Sequence, residues 1–76
     1  MARHKDTLGD RLYKHRKKAD MTLADLGELV GCSGPFLGML ERGDRATAKW
    51  ELVARIEKAL GLRHGDLTRG LDPDAA

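Results

Sequence analysis

The side chains that most often carry catalysis or bind metals are few in this sequence and widely spaced. It has one cysteine, Cys32, and three histidines, His4, His15 and His64. No histidine stands at metal-ligand spacing or catalytic spacing from Cys32. The sequence also lacks paired carboxylates, a Ser/His/Asp set and a phosphate-binding loop. We therefore expect a protein that is not an enzyme and that uses no metal and no cofactor.

The charged side chains are distributed unevenly along the chain. Residues 1–18 hold seven basic and two acidic residues, and residues 42–76 hold seven basic and six acidic residues. Between them, residues 19–41 hold four acidic and no basic residues. The net charge of the chain is only +2, so the distribution of charge is more informative than its sum.

Glycines divide the chain into short helical stretches, which must position these charges. Thr7 and Thr22 each precede an apolar-periodic stretch and have an aspartate three residues later, which is typical of a helix N-terminus. Gly31 and Gly43 are expected to end helices. The predicted elements are helices from about residue 6 or 7 to 18, 22–30, 33–42 and 47–60, with a short turn over 63–69.

This pattern predicts one small all-α domain. No stretch shows sustained alternation of apolar and polar residues, and 76 residues are enough for one domain only. We expect a compact bundle of four to five helices over residues 6–71. A flexible N-terminus over residues 1–5 and a loose C-terminal tail over residues 72–76 complete the predicted organisation.

The most informative unit is a helix, a tight turn and a second helix. The first helix covers 22–30, the turn is Gly31-Cys32-Ser33, and the second helix covers 34–42. Gly31 permits a left-handed turn, and Ser33 caps the next helix. Cys32 stands at the position in the turn where a small apolar residue would pack into the core. Two short helices joined in this way cross steeply.

Around this unit the chain resembles the lambda-repressor-like, Cro/C1-type helix-turn-helix family. The resemblance covers roughly residues 8–67. The matching residues are Leu8-Gly9, Leu12 and Arg16, then Met21-Thr22, Leu26 and Gly31-Cys32-Ser33, then Leu37, Leu40 and Glu41-Arg42-Gly43, and finally Ile56, Leu60 and Leu62. The resemblance implies an ion pair between Arg16 and Glu41 that holds the first helix against the end of the third.

The resemblance also implies a small transcriptional regulator that binds double-stranded DNA, commonly as a symmetric dimer. The helix that starts at Ser33 would enter the major groove, and the N-terminus of the helix that starts at Thr22 would face a phosphate. The residues expected in the groove are Ser33, Gly34, Pro35, Phe36, Gly38 and Met39. The residues expected at phosphates are Thr22, Arg42, Arg45 and Lys49, although the three cations also fit an ordinary solvated face.

The expected groove residues differ from those usual in the family. At the base-reading positions of the helix they are Gly34, Pro35, Phe36, Gly38 and Met39, none of which forms a bidentate hydrogen bond with a purine. Apolar side chains are still able to contact thymine methyl groups. Gly34 and Gly38 would also allow the helix backbone to approach the bases closely. An outward-facing Phe36 and Met39 also fit an alternative function, a protein-interaction module on the same scaffold. A rotated helix that packs Phe36 inwards is a further alternative.

Three leucines near the C-terminus, Leu62, Leu67 and Leu71, fit two structural roles. They are able to form the face of a homodimer, or to close the core of the monomer.

The sequence has no apolar run long enough to span a membrane and no signal peptide. Together with the lone cysteine, this predicts a reduced, cytoplasmic chain, and its composition suggests a bacterial or phage source.

Overall fold

The computed structural model of the chain describes residues 7–45 and 48–71, and within these ranges it contains four helices and no strand. The helices are α1 (Leu8–Lys18), α2 (Leu23–Val30), α3 (Gly34–Arg42) and α4 (Trp50–Ala59). Consecutive turns over residues 64–70 stand in place of a fifth helix. The all-α prediction is confirmed. The predicted tails, 1–5 and 72–76, lie outside the described residues. Within the described ranges, no helix has the length and apolarity needed to cross a membrane.

The starts of α1 and α2 are encoded by two matching capping boxes. The Thr7 hydroxyl accepts the Asp10 N–H at 3.1 Å, and the Asp10 carboxylate accepts the Thr7 N–H at 3.3 Å. Thr22 and Asp25 repeat this exchange at 3.0 and 3.2 Å. Each box satisfies two backbone donors that a helix end would otherwise leave unpaired. These two predicted boundaries are therefore confirmed.

The start of α4 was placed three residues too early by the sequence pattern. We expected the helix to run from Thr47 to Leu60, but it runs from Trp50 to Ala59. Lys49 has extended backbone angles, φ −60° and ψ 145°, and provides no side-chain cap. Its carbonyl accepts the first hydrogen bonds of the helix, so regular structure begins only after it. Thr47 itself lies outside the described residues.

Helices α2 and α3 form the centre of the domain, because they pack against each other while α1 packs against α3 and α4 packs against α2. The approach of α1 to α3 depends on Gly9. A Cβ at that position would collide with the Leu40 carbonyl oxygen and lie 2.9 Å from that of Glu41. The buried core comprises Leu8, Leu12, Leu26, Val30, Leu37, Leu40, Val53, Ile56 and Leu67. Burying each of these leucines contributes about 1.5–3 kcal/mol.

The C-terminal turns are attached to the helices by two polar anchors. The buried Glu57 carboxylate accepts the backbone N–H groups of Gly65 and Leu67, at 2.9 and 3.1 Å. The Arg11 guanidinium on α1 donates to the carbonyl of Asp66 at 3.3 Å and to that of Arg69 at 2.6 Å. These anchors hold the turns so that Leu67 is fully buried.

Replacing Glu57 by alanine is expected to destabilise the domain by about 1–3 kcal/mol. The reason is that the variant leaves the buried N–H of Leu67 without its acceptor. Thermal unfolding followed by circular dichroism measures the loss. Glu51→Ala is the matched control, because Glu51 is exposed on the same helix, and it should cost no more than about 1 kcal/mol. Equal losses for the two variants would show that the Glu57 anchor contributes nothing.

Candidate nucleic-acid interface

The turn between α2 and α3 has the tight geometry that the sequence predicts. Gly31 ends α2 in the left-handed conformation, at φ +83°, and the Ser33 hydroxyl accepts the Phe36 N–H at 3.1 Å. The turn folds back on α2 so closely that a Cβ at Gly27 would lie 2.5 Å from the Cys32 carbonyl oxygen. Cys32 packs against the core, and its burial raises the pKa of the thiol, which favours the protonated form.

Helix α3 presents one face to the core and the opposite face outwards. Leu37 and Leu40 are 0% and 1% exposed, so they fix the orientation of the helix. Pro35 is exposed in the first turn, while Phe36 and Met39 are half-buried. The outward face of α3 therefore has few polar atoms in its first two turns.

The two glycines of α3 lie against α2 instead of opening the backbone to an outside ligand. A Cβ at Gly34 would be 3.4 Å from the Ala24 nitrogen, and a Cβ at Gly38 would be 3.4 Å from Leu23 Cδ1. Gly38 is buried. The expectation that its backbone approaches a base is therefore wrong for this conformation, because the Leu23 and Arg42 side chains cover it.

Arg42 lies along the outside of α3, in an exposed ion pair. Its Nε is 3.1 Å from Asp44 Oδ2, and the two side chains are 63% and 58% exposed. Its Nη1 is 3.1 Å from the position that a Gly38 Cβ would occupy. The guanidinium is thus folded back by about one helical turn.

The loop after α3 brings a second cation back to that helix. The Arg45 N–H donates to the Met39 carbonyl at 3.2 Å, and the Arg45 guanidinium lies 5.3 Å from the centre of the Phe36 ring. A cation over an aromatic face is attracted by the ring's negative potential. Lys49, another predicted phosphate contact, is exposed immediately before α4. These contacts place Arg45 beside the first turn of α3.

Thr22 lies at the exposed N-terminus of α2, as expected. Its hydroxyl accepts the Asp25 N–H as part of the capping box, and its own O–H proton is not used by that bond. A phosphate near this helix end would therefore meet a hydroxyl donor, first-turn N–H groups and the positive end of the helix dipole.

A buried ion pair joins α1 to the end of α3. Arg16 Nε lies 2.6 Å from Glu41 Oε2, and Nη2 lies 3.1 Å from Oε1, with side-chain exposures of 11% and 8%. Arg16 Nη1 also donates to the Met21 carbonyl at 2.7 Å. The hydrogen bonds that Arg16 donates to Glu41 raise the pKa of Arg16, against the opposing effect of burial. The pair, which the family resemblance led us to expect, joins α1 to the end of α3.

The proposed apolar surface of α3 is less open than the sequence suggests. Phe36 packs partly against the core, and Arg45 covers one face of its ring. The large apolar side chains that are exposed in the described ranges are Tyr13, Leu29 and Trp50, which lie on other helices. The structure is therefore closer to the alternative in which Phe36 packs inwards than to the one in which it faces outwards.

The three C-terminal leucines close the core of the monomer. Leu67 is fully buried, so the expectation that it contributes to a homodimer face is wrong. Leu62 and Leu71 are half-buried and pack against the same core. The anchors at Glu57 and Arg11 explain this burial, and they join residues that no short pattern connects.

Sequence reasoning missed two interactions at this interface. The first is the ion pair of Arg42 with Asp44, and the second is the packing of Arg45 on Phe36. The close spacing of Arg42 and Asp44 is a signal for the first. The second depends on the path of the loop, and no local pattern in the sequence specifies that path.

Two short helices, α2 and α3, are joined by the tight turn at Gly31, α3 packs on α1, and cations flank the pair. These features define a helix-turn-helix domain. A family model described as "Helix-turn-helix domain" matches residues 7–71. The chain belongs to this family.

Solved structures give the same result. The P22 c2 repressor, in complex with synthetic operator 9T, is 29% identical with a TM-score of 0.76, over 87% of this chain and 98% of that one. The clp gene regulator ClgR from Corynebacterium glutamicum is 34% identical in two structures. Their TM-scores are 0.73 and 0.72, each over 82% of this chain, and 65% and 79% of the ClgR chains are covered. No curated protein sequence matches the chain.

Proposed function

We propose that this small DNA-binding transcription regulator lays α3 in the major groove of double-stranded DNA. Cations beside α3 would bind phosphates of the DNA backbone. The observation that carries the proposal is the position of Arg45, which is stacked on Phe36 at the first turn of the helix. In helix-turn-helix domains this helix lies in the major groove between the two phosphate backbones, so a cation held on the loop beside it is suited to contacting a phosphate.

The other groups at the same surface support this arrangement. Lys49 is exposed at the start of α4, after the same loop, and Thr22 marks the N-terminus of α2. Helix N-termini and cations both stabilise a nearby phosphate. Ser33, Pro35 and Met39 then remain as groups for shape and methyl contacts in the groove. Because its ligand is DNA, we place the action of the chain in the cytoplasm of a bacterial cell.

The test is fluorescence anisotropy with duplexes made from genomic fragments of the source organism, at low and at near-physiological salt. Binding that persists at the higher salt and enriches one site is the expected result. A complete absence of binding at low salt would contradict the proposal. Titration to saturation on the enriched site gives the number of chains per duplex, and two chains on a symmetric site would establish the dimer that the family resemblance implies.

Replacing both Arg45 and Lys49 by alanine is expected to weaken binding to every DNA sequence alike. A hydrogen bond to a charged group contributes about 1.5–3 kcal/mol, which corresponds to roughly tenfold to a hundredfold in affinity for each cation. The slope of log affinity against log salt should fall by about 0.9 for each phosphate that the variant no longer neutralises.

A charge-matched control separates a local effect from the effect of net charge. Lys58→Ala with Arg63→Ala removes the same charge from exposed positions at the other end of α4 and just beyond it. This variant should keep nearly all of the affinity and most of the salt slope. If both double variants bind DNA equally weakly, Arg45 and Lys49 do not bind phosphates.

The alternative function, docking of a protein partner on Phe36 and Met39, has weaker support. Both side chains are half-buried, and Arg45 shields the Phe36 ring. The test is a pull-down with wild type and with the double variant Phe36→Ala, Met39→Ala. A partner that binds wild type but not the folded double variant would support this alternative.

A further inference from the structure

The outward face of α3 has no side chain in its first two turns that donates a hydrogen bond to a base. Residues 34–39, which make up these turns, are glycine, proline, phenylalanine, leucine and methionine only. Phosphate contacts fix register but carry no sequence information, and selection of one site usually needs hydrogen bonds to base edges. The nearest long donor on this helix is Arg42, at its C-terminal end.

Arg42 is directed outwards and then back along α3. It lies two residues beyond the buried Leu40, which places it about 200° around the helix from that side chain. Its guanidinium reaches the level of Gly38, four residues or about 6 Å nearer the helix N-terminus. A larger residue at position 38 would displace it, because Nη1 lies 3.1 Å from the position of a Cβ there.

Asp44 fixes the other edge of the guanidinium. It accepts from Nε at 3.1 Å, and the terminal nitrogens, Nη1 and Nη2, form the fork of donors on a side chain that is 63% exposed. The carboxylate also offsets the charge of Arg42 and would repel a phosphate placed beside it. Arg42 is therefore better arranged to donate to a neutral base edge than to neutralise the DNA backbone.

We infer that Arg42 is the main base-reading side chain and that it recognises a guanine through O6 and N7 in the major groove. Gly38 is its positioning partner because it leaves the space that the guanidinium occupies. Asp44 is the second positioning partner because it orients the fork. This inference rests on the proposed function, and it changes the role of Arg42 from the phosphate contact expected from the sequence.

The experiment uses the full chain and its enriched duplex, with every base pair replaced in turn. Wild type should bind about 5- to 150-fold more weakly when one particular G·C pair is replaced. Arg42→Ala should lose that discrimination at that pair alone. Arg42→Lys keeps the charge but not the planar fork, so it should also lose the discrimination while keeping the wild-type salt slope.

Substitution of 7-deazaguanine for that guanine removes only the N7 acceptor. It should weaken binding of wild type and leave binding of Arg42→Ala unchanged. Gly38→Ala, which displaces the guanidinium without removing it, should reduce discrimination at the same pair. Circular dichroism establishes that each variant is folded.

Three results would overturn the inference. One is a uniform loss of affinity for Arg42→Ala on all duplexes with a salt slope lower by about one, which is the behaviour of a residue that binds a phosphate. Another is full discrimination by Arg42→Lys. The third is absence of any wild-type binding, which would overturn the proposed function as well. The first two results would overturn only the role of Arg42, so the two failures are distinguishable.

Discussion

Glu41→Ala is expected to destabilise the domain by about 3–5 kcal/mol, because it leaves the Arg16 guanidinium buried without its counter-charge. Folded domains are stable by only about 0.05–0.15 kcal/mol per residue, so this loss is a large part of the total for a chain of 76 residues. Urea unfolding followed by circular dichroism at constant temperature measures the change. A shift of the midpoint equivalent to less than about 1 kcal/mol would contradict the prediction.

Two controls separate the buried pair from charge in general. Asp44→Ala removes a carboxylate from the exposed pair with Arg42, where about 0–1 kcal/mol is expected. Arg16→Met with Glu41→Leu removes both buried charges and fills similar volume, so it should recover much of the stability that Glu41→Ala removes. If the double variant is as unstable as Glu41→Ala, the packing of these side chains matters more than their charges.

Gly9→Ala is expected to destabilise the domain by about 1–3 kcal/mol, although alanine normally favours a helix over glycine by about 1 kcal/mol. The added methyl group would press on the backbone carbonyls of Leu40 and Glu41, which cannot turn aside as a side chain can. Since those carbonyls belong to α3, the variant should also separate α1 from α3. Thermal unfolding measures the loss.

Gly38→Ala is the matched control for Gly9→Ala. It makes the same chemical change in a helix, but its new methyl group would lie 3.1 Å from the end of the flexible Arg42 side chain, which can shift, and 3.4 Å from a Leu23 methyl carbon. Its stability should be unchanged or slightly raised. A Gly9→Ala protein as stable as Gly38→Ala would show that α1 and α3 have room to separate without cost.

The local parts of the fold could be predicted from the sequence because their causes are local. The capping boxes at Thr7 and Thr22 and the left-handed Gly31 each depend on residues within four positions of one another. The start of α4 was placed three residues too early because its N-cap is Lys49, whose side chain forms no capping hydrogen bond and so gives no signal in the sequence.

The candidate site was predicted by residue type but not by arrangement. The sequence identifies Arg42 and Arg45 as cations, but it does not show that Arg42 folds over Gly38 or that Arg45 stacks on Phe36. The burial of Leu67 was missed for a similar reason, since one of its anchors comes from Arg11 near the other end of the chain. Contacts that depend on tertiary packing have no short-range periodicity to reveal them.

The exposure of Trp50 has a practical spectroscopic consequence. It is the only tryptophan of the chain and it is 73% exposed, so its indole emission in the native state already resembles that of an unfolded chain. Intrinsic fluorescence will therefore report unfolding poorly. The same indole is adjacent to Lys49, at the start of α4, so quenching or a blue shift on addition of DNA would give an optical signal, free of any attached dye, of a ligand arriving at that edge of the interface.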